Sequence, residues 1–293
     1  MKLSNGFFVV IAIQTSLSIK KHMKHLTLKN GKAIPTLGFG TWQIKDEECI
    51  TAVDTALTVG YRHIDTADGY HNHKEVGLGI KRNGIAREDF FLTTKIFPGD
   101  LTADSVRQKI DTYLAELDTD YIDLLLIHFP DHSVPLAETL GAINEAKEAG
   151  KVRSLGVSNF TEHHLQDALA TDVEIVVNQV ELHPGFPQHD LRAFCNQHDI
   201  AVTAYSPLGR GAALEMDLII KLAEKYEKKP GQIILNWLLA VGLIAIPKSV
   251  NPARIEENFQ SQDFTMEQAD IDAIDALEGS QRLINPEFAH FDY

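Results

Sequence analysis

Four residue types in this chain could together move a proton to a reacting oxygen. Tyr70 carries a phenol, Lys95 an ammonium, Asp65 a carboxylate and His128 an imidazole. An unperturbed phenol ionises near about pH 10, which makes it a poor acid–base partner at neutral pH. A neighbouring ammonium favours the phenolate, so Lys95 beside Tyr70 is expected to lower that value. Asp65 would hold Lys95 charged and oriented. His128 would bind a substrate oxygen or share the proton transfer. Such a set suits protonation of an alkoxide that develops as a hydride reaches a carbonyl carbon. Singly, each residue has an ordinary structural explanation: a packing tyrosine, a helix cap, a solvated lysine, a core histidine. Their joint spacing favours the chemical reading.

The elements that must position them alternate regularly. Strand-like apolar runs fall near Gly38–Trp42, His63–Thr66, Phe90–Ile96, Ile122–Phe129, Ser154–Ser158, Ile175–Glu181, Ala201–Ser206 and Leu243–Pro247. Several are apolar almost throughout, as parallel strands buried on both faces are. Between them, helical patterns cover Asp46–Val59, Thr102–Leu117, Pro135–Ala149, Thr161–Ala170, Gln188–Gln197, Asp217–Lys228 and Pro230–Ala240. Eight such runs alternating with helices give the count of a (β/α)8 TIM barrel, an α/β fold, with a doubly wound sheet as the alternative. Ahead of them, Asn30-Gly31 between two short apolar runs predicts an N-terminal β-hairpin. In a barrel, active-site groups follow the C-terminal ends of the strands. Polar residues do follow one strand end after another: Asp65, Lys95, His128, Ser158 with Asn159, Gln179, Tyr205 with Ser206, and Lys248 with Ser249.

Composition narrows the classes. The 293 residues suffice for a large core without staples. They read as one domain over 24–293 after a flexible extension at 1–23. Within that extension, Phe7–Ile13 is apolar, but no A-x-A cleavage site follows. A net charge of −14, from 27 Lys and Arg against 41 Asp and Glu, argues against a nucleic-acid partner. No apolar run approaches the roughly 20 residues that span a bilayer, so no membrane partner is expected. Cys49 and Cys195, the two cysteines, form no CxxC and read as buried free thiols, which fits a reducing cytoplasm. His71 and His73 are two apart, His163 and His164 are adjacent, and HExxH is absent, so no metal site is expected. Gly38-Phe-Gly40 and Gly77-Leu-Gly79 lack the rest of a GxGxxG turn, so no Rossmann domain is read.

The stretches Asp65–Gly77 (DTADGYHNHKEVG), Thr94-Lys95, Gly156–Phe160 (GVSNF) and Ile246–Asn258 (IPKSVNPARIEEN) resemble the aldo-keto reductase superfamily, in order, from about residue 24 to the C-terminus. The short segment between Pro207 and Ile246 and the ending Arg282–Pro286 resemble its small bacterial 2,5-diketo-D-gluconate reductase type. The resemblance implies a (β/α)8 barrel that uses NADPH without a Rossmann domain, with Asp65, Tyr70, Lys95 and His128 as catalytic tetrad and Tyr70 as general acid. It implies that Ser158, Asn159 and Gln179 hold the nicotinamide carboxamide and that Tyr205 stacks on the ring. It puts Thr41 and Asp65 on the ribose side, Ser206, Leu208 and Arg210 at the pyrophosphate, and Lys248, Ser249, Arg254, Glu257 and Asn258 at the adenosine end. The cations Lys248 and Arg254 suit a 2′-phosphate, which favours NADPH over NADH.

Trp42, Phe97 and Phe129 match aromatic wall positions of the family's pocket, and Tyr70 and His128 would complete the substrate site. Phe129 departs from the tryptophan often found there, and Gly69 from a larger residue. Gln43 and Asp68 are candidate polar contacts. The expected activity is reduction of a small aldehyde, methylglyoxal or a keto-sugar to an alcohol by a cytoplasmic monomer. The alternatives are a nicotinamide-sensing binding module with little turnover and a barrel hydrolase working through Asp65 and Asp68.

Overall fold

The computed structural model of the chain describes residues 23–99 and 101–293. The expected extension at 1–23 lies outside the described residues, save Met23. Two short strands, β1 (His25–Thr27) and β2 (Ala33–Pro35), form the antiparallel hairpin. Its turn is longer than a two-residue Asn-Gly turn. Leu28 N–H donates to Lys32 O and Gly31 N–H to Leu28 O, and only Gly31 takes a positive φ. This is a type I turn followed by a glycine bulge, the usual three-residue hairpin loop.

Eight parallel strands follow: β3 (Phe39–Gly40), β4 (His63–Asp65), β5 (Phe91–Ile96), β6 (Leu124–Ile127), β7 (Leu155–Ser158), β8 (Val177–Glu181), β9 (Ala201–Tyr205) and β10 (Ile244–Ala245). Each pairs with the next in sequence. The last returns to the first: Gly38 N–H donates to Ala245 O at 2.9 Å, Gly40 N–H to Pro247 O at 3.0 Å and Ala245 N–H to Thr36 O at 2.9 Å. The sheet therefore closes as the (β/α)8 barrel that the alternating runs predict.

Among the described residues ten α-helices connect or flank the strands: α1 (Asp46–Val59), α2 (His73–Asn83), α3 (Ala103–Leu117), α4 (Leu136–Glu148), α5 (Glu162–Leu169), α6 (His189–Gln197), α7 (Asp217–Tyr226), α8 (Pro230–Ala240), α9 (Pro252–Phe259) and α10 (Gln268–Asp275). Local chemistry starts several of them. Asp46, Glu47 and Glu48 face the positive end of α1. Thr102 caps α3 by accepting from Ser105 N–H, and Pro230 opens α8. The helical patterns read from the sequence do not include α2, α9 or α10; in α2, Gly77 and Gly79 weaken helix propensity. Packing explains both glycines: a Cβ on Gly77 would lie 2.9 Å from Leu117 O, and one on Gly79 2.8 Å from Ile50 O.

Alternation along each strand divides the interior in two. Leu92, Ile96, Leu125, Ile127, Leu155, Val157 and Val180 face outward into the apolar layer under the helices. Phe91, Leu124, Leu126, Val177 and Ile244 point inward and pack at the N-terminal end of the barrel with Leu28 and Ile34 of the hairpin. The hairpin is thus a plug on that end, and the polar inward residues gather at the other. Cys49 and Cys195 are buried free thiols, and burial pushes both up to about 12.

Two expectations follow from this packing. Gly156 sits opposite Leu126, and a Cβ there would lie 2.6 Å from Val177 O and 2.7 Å from Leu126 Cδ2. Gly156→Ala should lower the free energy of unfolding by about 1–3 kcal/mol in urea denaturation, as overpacking does. The second concerns pH. His63, inside the barrel, and His164, at the start of α5, are both held down to about 4, chiefly by burial. The unfolded chain binds these protons near about pH 6.5. Stability is therefore complete above about pH 6.5 and is lost as pH falls toward about 4. The urea midpoint of the cofactor-free protein should drop between pH 7 and pH 5; a constant midpoint would contradict this.

Candidate active site

The C-terminal ends of β4 and β5 bring two opposite charges together out of water. Lys95 is 0% exposed and Asp65 1% exposed. Lys95 Nζ donates to Asp65 Oδ1 at 2.5 Å, to Thr66 O at 2.8 Å and to Tyr70 Oη at 3.3 Å. Gln179 on β8 donates from Nε2 to Asp65 Oδ2 at 2.7 Å. The ammonium thus has three acceptors, and both carboxylate oxygens are used.

Tyr70 lies on a 3-10 turn, Asp68–Tyr70, directly after β4. Asn72 fixes that turn from inside. It accepts from Thr66 Oγ1 and donates to Thr41 O and Ile44 O. Lys109 holds the other side through Asp68 at 3.0 Å. Because Tyr70 Oη accepts from Lys95, its own proton is free to point away from the lysine. Among the described residues no acceptor takes it.

His128, one residue beyond β6, presents its ring edge-on to Tyr70 at 5.7 Å between centroids. It stacks on Phe129 at 5.1 Å and 22° and meets Phe97 edge-on at 5.5 Å. Its Nδ1 is buried with no partner among the described residues. Burial and the Lys95 charge push its pKa well below the usual histidine range, so the ring is neutral. It can offer a substrate oxygen one N–H, not a charge.

One electrostatic expectation is overturned. Tyr70 was expected to be acidified by Lys95; burial instead raises its phenol well above 10, and the Asp65 carboxylate adds to this. The ammonium lies closer to Asp65 and Thr66 O than to the phenol, so the phenol sees a nearly neutral pair. Burial also lowers Lys95 itself. At rest Tyr70 is protonated, the state a proton donor needs.

These groups line a cavity of about 250 Å³ at the barrel mouth. Asp65, Tyr70, His128, Asn159, Gln179, Tyr205, Ser206 and Lys248 contribute to its wall, with Trp42, Phe97 and Phe129 as the aromatic side. Behind the wall, Asn159 spends its amide internally. It donates to His128 O and Ser158 Oγ and accepts from Tyr205 Oη at 2.7 Å. Ser158 Oγ donates to Gln179 O at 2.8 Å. Gln179 Oε1 has no protein partner among the described residues. Gly69 also lines the cavity, and a Cβ there would come within 3.0 Å of Phe97.

Other expected residues lie elsewhere. Thr41 is buried behind the wall, and its hydroxyl donates to Asp65 O at 3.0 Å, tying β3 to β4. Leu208, Arg210, Ser249, Arg254, Glu257 and Asn258 do not line the cavity. Arg210 extends over Trp42, 4.8 Å from its ring centre. Arg254 is exposed in the first turn of α9, which Asn251 caps through the N–H groups of Ala253 and Arg254. Neither Arg254 nor Lys248 makes an ion pair among the described residues. Gln43 and Asp68 do not line the cavity either.

Sequence reading missed Pro207, Ile246 and Ile284 in the wall. It also missed Phe288, which packs edge-on to Phe97 at 5.9 Å and Phe129 at 5.3 Å. Ile284 lies within the Arg282–Pro286 motif, which was the available signal. Phe288 lies in the tail Glu287–Tyr293, which the sequence offers as one edge of the site without assigning any contact.

The chain is similar to known proteins over nearly its whole length. Residues 36–278 match the Aldo/keto reductase family. Methylglyoxal reductase DkgA of Yersinia pestis is 42% identical over 265 residues, 88% of this chain and 94% of that one. The crystal structure of an aldo/keto reductase from Brucella melitensis is 47% identical with a TM-score of 0.84, covering 87% of this chain and 98% of its own. The structure of a putative 2,5-diketo-D-gluconic acid reductase B has a TM-score of 0.88 at 36% identity, covering 91% and 96%. Fold, mouth chemistry and sequence lead to one conclusion: the chain is an oxidoreductase that belongs to the aldo/keto reductase family.

Proposed function

We propose that this enzyme uses NADPH to reduce a small carbonyl compound, such as an aldehyde, methylglyoxal or a keto-sugar, to an alcohol, with Tyr70 as general acid. The observation that carries the reading is the free proton of Tyr70, whose oxygen accepts from Lys95 while its ring faces neutral His128. Similarity to a protein named methylglyoxal reductase supports the substrate class.

The residues present fit a nicotinamide dinucleotide. Gln179 Oε1 is an open acceptor for a carboxamide N–H, and the Tyr205 ring lies at the cavity wall. Lys248 and Arg254, without an ion pair among the described residues, are cations suited to a phosphate. When bound, the nicotinamide supplies the hydride. The chain does the rest. His128 orients the carbonyl oxygen through one N–H, since its ring is neutral. Trp42, Phe97 and Phe129 keep water from that oxygen.

As negative charge grows on the oxygen, Tyr70 hands over its proton, because an alkoxide is a stronger base than a phenolate. Lys95 then stabilises the phenolate at 3.3 Å, and Asp65 keeps the lysine aimed. The raised resting phenol keeps the donor loaded across neutral pH.

The proposed form is a cytoplasmic monomer. No helix of the described residues is long and apolar enough to cross a membrane.

Tyr70→Phe should leave NADPH binding, read by fluorescence titration, nearly intact and lower kcat by at least about a hundredfold, the lower end for a lost general acid. Full turnover would refute the acid assignment, and tight NADPH binding by a wild type inert toward a broad carbonyl panel would favour a sensing role. Lys248→Ala with Arg254→Ala should raise the KM for NADPH far more than that for NADH. Equal changes would count against 2′-phosphate recognition.

A further inference from the structure

The mouth of the barrel is walled on one side by a segment that belongs to no helix or strand of the barrel. After α10 the chain crosses the C-terminal face, and its seat is the turn after β8. Ser280 N–H donates to Gly185 O at 3.0 Å. The Arg282 guanidinium lies between two rings, 5.0 Å from Phe186 and 3.8 Å from Phe291. Beyond this, Ile284 enters the cavity wall, and Phe288 closes on Phe97 and Phe129.

One carboxylate joins this strap to the barrel. Glu181, the last residue of β8, is 0% exposed. Its Oε1 accepts from Leu283 N–H at 2.7 Å and its Oε2 from Ile284 N–H at 2.8 Å. His183 Nε2 lies 3.2 Å from Oε1, and Gln188 binds the Glu181 carbonyl. A buried carboxylate is costly unless its lone pairs are used. Here they are used by two successive amides of the strap, which fixes its register. Sliding the strap by one residue would replace Ile284 in the wall and move Phe288.

We propose that Glu181 is a positioning residue for substrate: its buried carboxylate pins Leu283 and Ile284 and so sets the wall that Ile284 and Phe288 present to the carbonyl compound. The proposal rests on the carbonyl-reductase reading above. The Glu181 side chain makes no hydrogen bond to the tetrad or to an expected cofactor group; its carboxylate bonds the strap amides and His183, while its backbone pairs β8 with Tyr205 on β9.

The test uses the full-length enzyme with methylglyoxal as probe. Glu181→Gln offers one acceptor where two are needed and turns an amide donor toward a backbone N–H. It should raise the KM for methylglyoxal about tenfold, as the loss of hydrogen bonds to a charged group does. It should leave kcat within about threefold and the Kd for NADPH unchanged. Amide hydrogen exchange should show Leu283 and Ile284 losing protection. Leu283→Pro removes one of the two N–H groups from the strap side, at a residue with an exposed side chain, and should reproduce the KM rise if Glu181→Gln fails to fold.

Phe288→Ala should also raise KM, and adding Glu181→Gln to it should cost little more. Unchanged exchange at 283 and 284, additive KM changes, or an NADPH Kd that weakens in step would each overturn the proposal. If the wild type reduces no carbonyl compound, the functional reading fails instead, and the exchange measurement still decides whether Glu181 holds the strap.

Discussion

The buried pair of Lys95 and Asp65 is the constraint on which the site depends. Removing two charges from water costs several kcal/mol per ion, and their attraction repays this only with good geometry and satisfied hydrogen bonds. The barrel supplies both. Asp65 ends β4, Lys95 lies on β5, and Gln179 reaches across from β8 to the second carboxylate oxygen. Thr66 O takes another lysine proton. Three strands must therefore keep register for the pair to be tolerated. A pair held so tightly screens itself, which is why the neighbouring phenol feels its burial more than the ammonium.

That screening separates resting state from reaction. Tyr70 is protonated and His128 neutral, so no free charge sits where the carbonyl oxygen would lie. In the proposed role of Tyr70, Lys95 would become electrostatically visible only when the phenol gives up its proton and a negative oxygen appears 3.3 Å away. Stabilisation is greatest where charge develops, the condition for lowering a barrier rather than for tighter ground-state binding. Lys248 at the cavity wall and Arg254 outside it, both without an ion pair among the described residues, suit an anionic group that does not react. On a chain of net charge −14, attraction for such a group has to be local.

The sequence carried the strand positions and the identity of the mouth residues because both leave local marks. Apolar runs such as Leu124–Ile127 have no other comfortable place than a sheet buried on both faces. Seven helices are legible from their apolar period, some without a side-chain cap, whereas α9 is not despite its Asn251 cap, nor is α10; α2 is blurred by Gly77 and Gly79, which serve contacts with Leu117 and Ile50 distant in sequence. The direction of the Tyr70 shift was misjudged because it is a balance between burial and partners, and spacing gives neither. Thr41, expected on the ribose side, also donates its hydroxyl to Asp65 O, a contact that spacing does not encode. Ile284 and Phe288 owe their places to a strap with no period, held by Glu181 from about a hundred residues earlier in the chain.

The same strands that carry the chemistry also carry the plug, in a graded way. Along the barrel axis β5 reads Phe91, Thr93, Lys95; β6 and its continuation read Leu124, Leu126, His128; β8 reads Val177, Gln179, Glu181. Each begins apolar against the hairpin and ends polar at the mouth. The buried polar groups that burden stability are thereby confined to one end, where the strand termini leave carbonyls such as Thr66 O free to satisfy them. The apolar end can pack with Leu28 and Ile34 without a hydrogen-bond demand. Position along a strand decides whether an inward residue holds the fold or the reaction. This is why Glu181, buried and bonded like a core residue but placed at the mouth, is assigned to the substrate wall rather than to the plug.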